Sequence, residues 1–153
     1  MRPWLKIWLP GLLVLLVLAS ALMASPAGAQ APATDIGAAD RATIRAVITD
    51  QIAAFRRDDA QAAFGLAAPN IQAMFGTPEN FLGMVRNSYQ AVYRPSDVAF
   101  GELVRIDDRL TQLVQVVGPD GAARTALYFM ERQADGTWRI AGCVLTTGQG
   151  TTA

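Results

Sequence analysis

The spacing of apolar residues changes once along this chain, between Arg94-Pro95 and Val98, and that change constrains the fold more than any single motif. Before it, Ile44, Val47, Ile48, Ile52 and Phe55 recur every three or four residues, the stripe of an amphipathic helix. After it, apolar and polar side chains alternate in four runs near 98–106, 110–117, 123–132 and 137–145, as in half-buried strands. Helices gathered first and strands afterwards make an α+β domain, because a parallel sheet would need the two to alternate. The pattern predicts three N-terminal helices packed on one face of a curved four-stranded antiparallel sheet.

Local signals set the boundaries. Asp40 is suited to cap the first helix, and Arg56-Arg57 favour its negative end. Asp58-Asp59 offers a cap for a short second helix carrying Ala63, Phe64 and Ala67, limited by Pro69. Thr77-Pro78-Glu79 opens the third: a capping hydroxyl, a proline at the first turn, a carboxylate at the positive end. Its stripe of Phe81, Val85, Tyr89 and Val92 runs towards Pro95. In the strand region, Gly118-Pro119-Asp120-Gly121 and Ala134-Asp135-Gly136 read as three-residue hairpin loops with glycine in the left-handed position.

Those loops fix a register. Arg132 then faces Trp138, Glu131 faces Arg139, Met130 faces Ile140, and Gln112 faces Tyr128. One sheet face collects Leu110, Gln112, Val114, Val116, Ala126, Tyr128, Met130, Trp138, Ile140 and Val144, and is expected under the helices. The other carries Leu113, Leu127, Phe129, Cys143 and Leu145 among polar residues. Leu113, Leu127 and Phe129 make an apolar patch on the outer face, which suggests a homodimer through it. For the first strand, the loop at Asp107-Asp108 holds two residues or three, and the choice turns Phe100, Glu102, Val104 and Ile106 over.

The first residues read as an export signal rather than as fold. Arg2 and Lys6 precede the apolar run Leu12–Met23 and a small-residue cleavage site at Ala27-Gly28-Ala29. The expectation is a signal peptide over 1–29 cleaved after Ala29, with export to the periplasm or beyond and no membrane attachment afterwards. A flexible leader would follow at 30–39, then one domain at 40–147 and a disordered tail at 148–153. The chain holds 13 basic and 13 acidic residues, and the two basic residues of the signal leave with it. With no basic stripe, nucleic acid is not a partner to expect. The chain has no histidine, so imidazole bases and imidazole metal ligands are excluded, and no phosphate, dinucleotide or paired-cysteine motif is present. No metal or cofactor is expected. Cys143, the single cysteine, reads as a packed thiol: Arg139 lies about 13 Å away along a strand, too far to favour thiolate. The Asp58-Asp59, Asp107-Asp108 and Asp120 carboxylates read as caps and turns.

The segment VITDQIAAFRRDDAQAAFGLAAPNIQAMFGTPENFLGMVRNSYQAVYRP, followed by YFMERQADGTWRIAGC, resembles the bacterial domain-of-unknown-function family numbered 4864. More loosely, the helices-then-sheet order and the closing D-G-x-W-x-I strand resemble the NTF2-like (cystatin-like) superfold. That resemblance implies a cone with an apolar pocket. Tyr89, Tyr93, Glu102, Gln112 and Tyr128 are the polar groups that could point into such a pocket. A tyrosine hydroxyl polarising a carbonyl beside a desolvated Glu102 would suit a cofactor-free isomerase or lyase. The leading expectation is a non-catalytic domain that binds a small apolar ligand or a protein partner. The isomerase and a dimeric assembly module are the alternatives.

Overall fold

The computed structural model describes residues 31–147, so the signal and tail expected at 1–29 and 148–153 lie outside the described residues. Five helices precede the long strands: α1 (Ala38–Arg56), α2 (Ala60–Gly65), α3 (Pro69–Phe75), α4 (Pro78–Ser88) and α5 (Gln90–Tyr93). The strands are β1 (Ala31–Pro32), β2 (Asp97–Ile106), β3 (Arg109–Val117), β4 (Ala123–Arg132) and β5 (Trp138–Thr147). They form an open antiparallel sheet in the order β1-β2-β3-β4-β5. The α+β class holds, with five strands instead of four and five helices instead of three.

Each added helix has a local cause. Helix α2 already stops at Gly65, leaving Ala67 outside it, and Pro69 instead starts α3, where its missing N–H costs nothing. Tyr89, at φ −129° and ψ 46°, leaves helical geometry and splits the expected third helix into α4 and α5. Of the expected caps, Asp59 accepts from Ala62 N at 3.0 Å and Thr77 Oγ1 accepts from Asn80 N at 3.2 Å. Asp40 does not cap. Helix α1 begins at Ala38, with Gly37 in the cap position three residues before Asp40, and Asp40 sits in its first turn, where its carboxylate accepts from Trp138 Nε1 at 2.9 Å. Residues 31–39 are fastened at several points: Ala31 and Pro32 pair with Arg105 and Val104, Ala33 N donates to Leu103 O at 3.1 Å, and Arg105 pairs with Asp35 at 2.5 Å.

The hairpin register follows the loops. Arg132 faces Trp138, Glu131 faces Arg139 and Met130 faces Ile140. Gly121 and Gly136 take φ of 75° and 85°, as their three-residue loops require. The Asp107-Asp108 loop holds two residues, both with positive φ (49° and 60°), which matches the twist of the flanking strands. Arg132 also lies over the Trp138 ring at 5.8 Å.

Two bulges then turn side chains from their expected faces. In β2, Phe100 pairs with Val114 but Leu103 pairs with Gln112, so Gly101 and Glu102 together face Leu113. Leu103 is buried in the core and Glu102 is exposed. In β5, Met130 pairs with Ile140 but Phe129 pairs with Gly142, leaving Ala141 as the extra residue. Beyond it Cys143 faces Tyr128 and Leu145 faces Ala126, on the helix-covered side. The expected outward placement of Cys143 and Leu145 is therefore corrected. Val144, expected inward, is on the outer face and 44% exposed.

The core lies between α1 and the sheet. Ile44, Ile48, Ala54 and Phe55 of α1 are buried with Val114, Val116, Ala126 and Tyr128. Burying each large apolar side chain there contributes roughly 1.5–3 kcal/mol.

Candidate functional site

Where α1, α3, α4 and α5 meet the bulged part of β5, the packing leaves an apolar cavity of about 240 Å3. Its far wall is aromatic. Phe81 holds Phe55, Phe64 and Phe75 around it, with ring centroids at 6.0, 5.7 and 5.5 Å. Ile140, Gly142 and Cys143 form the floor. The bulge creates that floor, because the extra Ala141 is what turns Cys143 inward. The roof is α3, which contributes Ile71, Met74 and Phe75 to the lining but has no buried residue of its own. Met74 is 70% exposed.

Polar atoms in this lining are few. Gln51 is buried at 3% exposure and donates from Nε2 to Ala63 O at 3.2 Å. Tyr89 lines the cavity beside Val92. Cys143 adds a thiol that desolvation pushes up to about 12, so it stays protonated at neutral pH. No charged side chain among the described residues lines the cavity, and no cluster of three metal-binding side chains occurs among them.

The five residues expected around a pocket do not converge. Tyr89 alone of them is in the cavity wall. Tyr93 is at the surface, where its hydroxyl donates to Asp58 and its ring lies under Arg94 at 4.8 Å. Asp58 also pairs with Arg94 at 2.8 Å and Arg86 at 3.4 Å. The Tyr93 hydroxyl first, and then the arginines, hold its carboxyl below the usual range. The cluster fastens the end of α1 to α4 and α5. Glu102 is exposed on the bulge of β2. Gln112 is buried but engaged: its Nε2 lies within hydrogen-bond reach of Gly101 O at 2.9 Å, Leu113 O at 3.0 Å and Glu102 O at 3.3 Å. Tyr128 is fully buried beside Cys143, its hydroxyl finds no partner among the described residues, and burial raises its pKa well above the ordinary value.

Sequence reasoning passed over Gln51, Ile71, Met74, Gly142 and Cys143 as a cavity lining. A signal for the floor was present. The apolar alternation at Trp138 and Ile140 resumes at Cys143 and Leu145 only if one residue is skipped, and a glycine inside a strand marks such a skip. A second hollow of about 420 Å3, near Arg109, Phe129 and Glu131, is larger but more open to solvent.

Fold and cavity together define a class: an α+β domain whose helices cover one face of an open antiparallel sheet and leave an apolar chamber at one end. The chain belongs to the family described as domain of unknown function DUF4864, whose pattern matches residues 37–153. No curated protein and no solved structure matches it. No helix among the described residues is long and apolar enough to cross a membrane.

Proposed function

We propose that this is an exported, non-catalytic domain that holds a small apolar ligand in the cavity under α3. One observation carries the reading: an apolar chamber of about 240 Å3 walled by aromatic rings and roofed by a helix with no buried residue. Apolar chambers with a few polar groups are the usual form of small-molecule sites. The run Leu12–Met23 followed by Ala27-Gly28-Ala29 supports export with cleavage after Ala29. The layout is read as an open variant of the NTF2-like arrangement, its chamber displaced towards the bulge of β5. Proton transfer by Glu102 gains no support, because that side chain is exposed and outside the chamber.

Native mass spectrometry of the protein purified from its own periplasm tests the reading. A co-purifying mass that leaves on mild activation is expected, with a chain beginning at Gln30. Recovery of bare protein that also takes up no added apolar compound would sink it.

A second reading is a symmetric dimer through the outer sheet face. Val144, 44% exposed opposite Leu127, extends the apolar patch of Leu113, Leu127 and Phe129. Sedimentation at high micromolar concentration should then show a dimer that Leu127→Glu dissociates, whereas a monomer throughout excludes it.

A further inference from the structure

We infer that the chamber selects an uncharged molecule of roughly ten heavy atoms with one hydrogen-bond donor, which it presents to the side-chain oxygen of Gln51. This rests on the ligand-binding reading above and specifies what that site takes.

Size comes first. A cavity of about 150 Å3 accommodates benzene, so 240 Å3 corresponds to roughly ten non-hydrogen atoms by proportion. Charge comes next. The lining has no Arg, Asp, Glu or Lys, so a carboxylate or ammonium placed there would be desolvated with no counter-charge. The molecule must be neutral.

Gln51 supplies the polar contact. It is buried at 3% exposure and lines the chamber. Ala63 O requires a donor, so the Gln51 amide nitrogen faces it at 3.2 Å and the amide oxygen is turned away. That oxygen accepts no hydrogen bond from the described residues; a ligand N–H or O–H can complete it. Cys143 and Tyr89 are the other polar side chains of the lining, and neither offers a charge.

Indole and benzofuran test this, since they share a shape and differ in one N–H against an ether oxygen. Titration calorimetry on the full chain should show indole binding about tenfold tighter than benzofuran, the effect of one buried hydrogen bond. Indole-5-carboxylate should bind at least a hundredfold more weakly than indole. Gln51→Met should bring indole down to the affinity of benzofuran, with an unchanged circular dichroism spectrum. Equal affinities for the two neutral probes in the unsubstituted protein overturn the inference and leave apolar binding standing. So does tight binding of the carboxylate. If neither neutral probe gives heat or a thermal shift, the cavity reading fails with it. Should Gln51→Met not fold, the comparison of probes on the unsubstituted protein still decides.

Discussion

Strands β2 and β5 each carry one extra residue next to a glycine, and the molecule settles the two insertions in different ways. At Gly101-Glu102 the carbonyls displaced from the ladder fall within reach of one side chain of the same sheet, the amide of Gln112. That bulge is sealed and its neighbours are core. At Ala141 the helix layer makes the repair. Ile140 N donates to Leu66 O at 3.0 Å, Ala68 N donates to Ile140 O at 2.8 Å, and Asn70 Nδ2 reaches Ala141 O at 3.4 Å. That bulge holds the α2–α3 link against the sheet and becomes the floor of a chamber. The same backbone irregularity is thus structural in one place and site-forming in the other, according to whether a side chain or a second layer satisfies it.

The largest test of this contrast is Gln112→Leu. It leaves the part-buried carbonyls of the sealed bulge without their amide partner, and chemical denaturation should show a loss of about 3 kcal/mol. Ligand affinity of the folded fraction should not change. A stable Gln112→Leu protein would mean that the amide does not mend the bulge.

Adding a methyl group at each bulge sharpens the comparison. A Cβ on Gly101 would meet Leu113 Cβ at 3.3 Å, and one on Gly142 would meet the Phe129 ring at 3.2 Å. Gly101→Ala and Gly142→Ala should each cost about 2 kcal/mol by overpacking. Both methyl groups would point to the outer face of the sheet, against Leu113 and Phe129 and away from the chamber, so neither should change binding of an apolar probe. Loss of probe binding in Gly142→Ala alone would mean that the β5 bulge passes the strain on to the chamber floor.

Tyr128 stands between the two, opposite Gln112 on one side and Cys143 on the other. Its buried hydroxyl has no partner among the described residues. Tyr128→Phe should therefore raise stability by about 1 kcal/mol, read as a higher denaturation midpoint. A drop instead would reveal a hydrogen bond formed by that hydroxyl in solution.

The smallest expected effect is at Cys143. Folded, its thiol holds a proton to about 12, against an ordinary 9.0. Between those values the unfolded chain binds fewer protons, so stability falls as pH rises, and below about 9 the contribution is fully present. The loss should reach about 0.8 kcal/mol by pH 9.5 and be absent in Cys143→Ala. Parallel pH profiles for the two proteins would refute the inward placement of the thiol.

Much of the frame was legible because it depends on neighbours in sequence. Thr77-Pro78, Asp59 and the two Asp-Gly corners act over a few residues, and the register from Arg132–Trp138 to Met130–Ile140 follows from the loop. What escaped depends on the layer above the sheet. Nothing within β5 says that Ile140 will bond to Leu66 and Ala68, so the alternation was carried straight through Ala141. Tyr89 and Gln112 stand out in the sequence as polar groups in apolar settings. Their destinations, a chamber wall and a bulge repair, were set by tertiary contacts. Asp40 was assigned to the backbone because the indole of Trp138, 98 residues away in sequence, could not be placed beside it.

The short β1 strand bears on how copies of this protein avoid sticking to one another. An unpaired sheet edge invites further strands, and proteins blunt such edges with short segments, prolines and charges. Here two residues cover the β2 edge at Val104 and Arg105, and Pro32 has no N–H to offer an incoming chain. Arg105, fixed to Asp35, adds an ion pair at the same place. Uncontrolled strand addition is thereby discouraged at this end of the sheet, and among the described residues the edge left for it is the part of β5 beyond Ala141, since Ile140 is already bonded to the α2–α3 link; Val144 is the apolar residue there to replace in a preparation prone to aggregate.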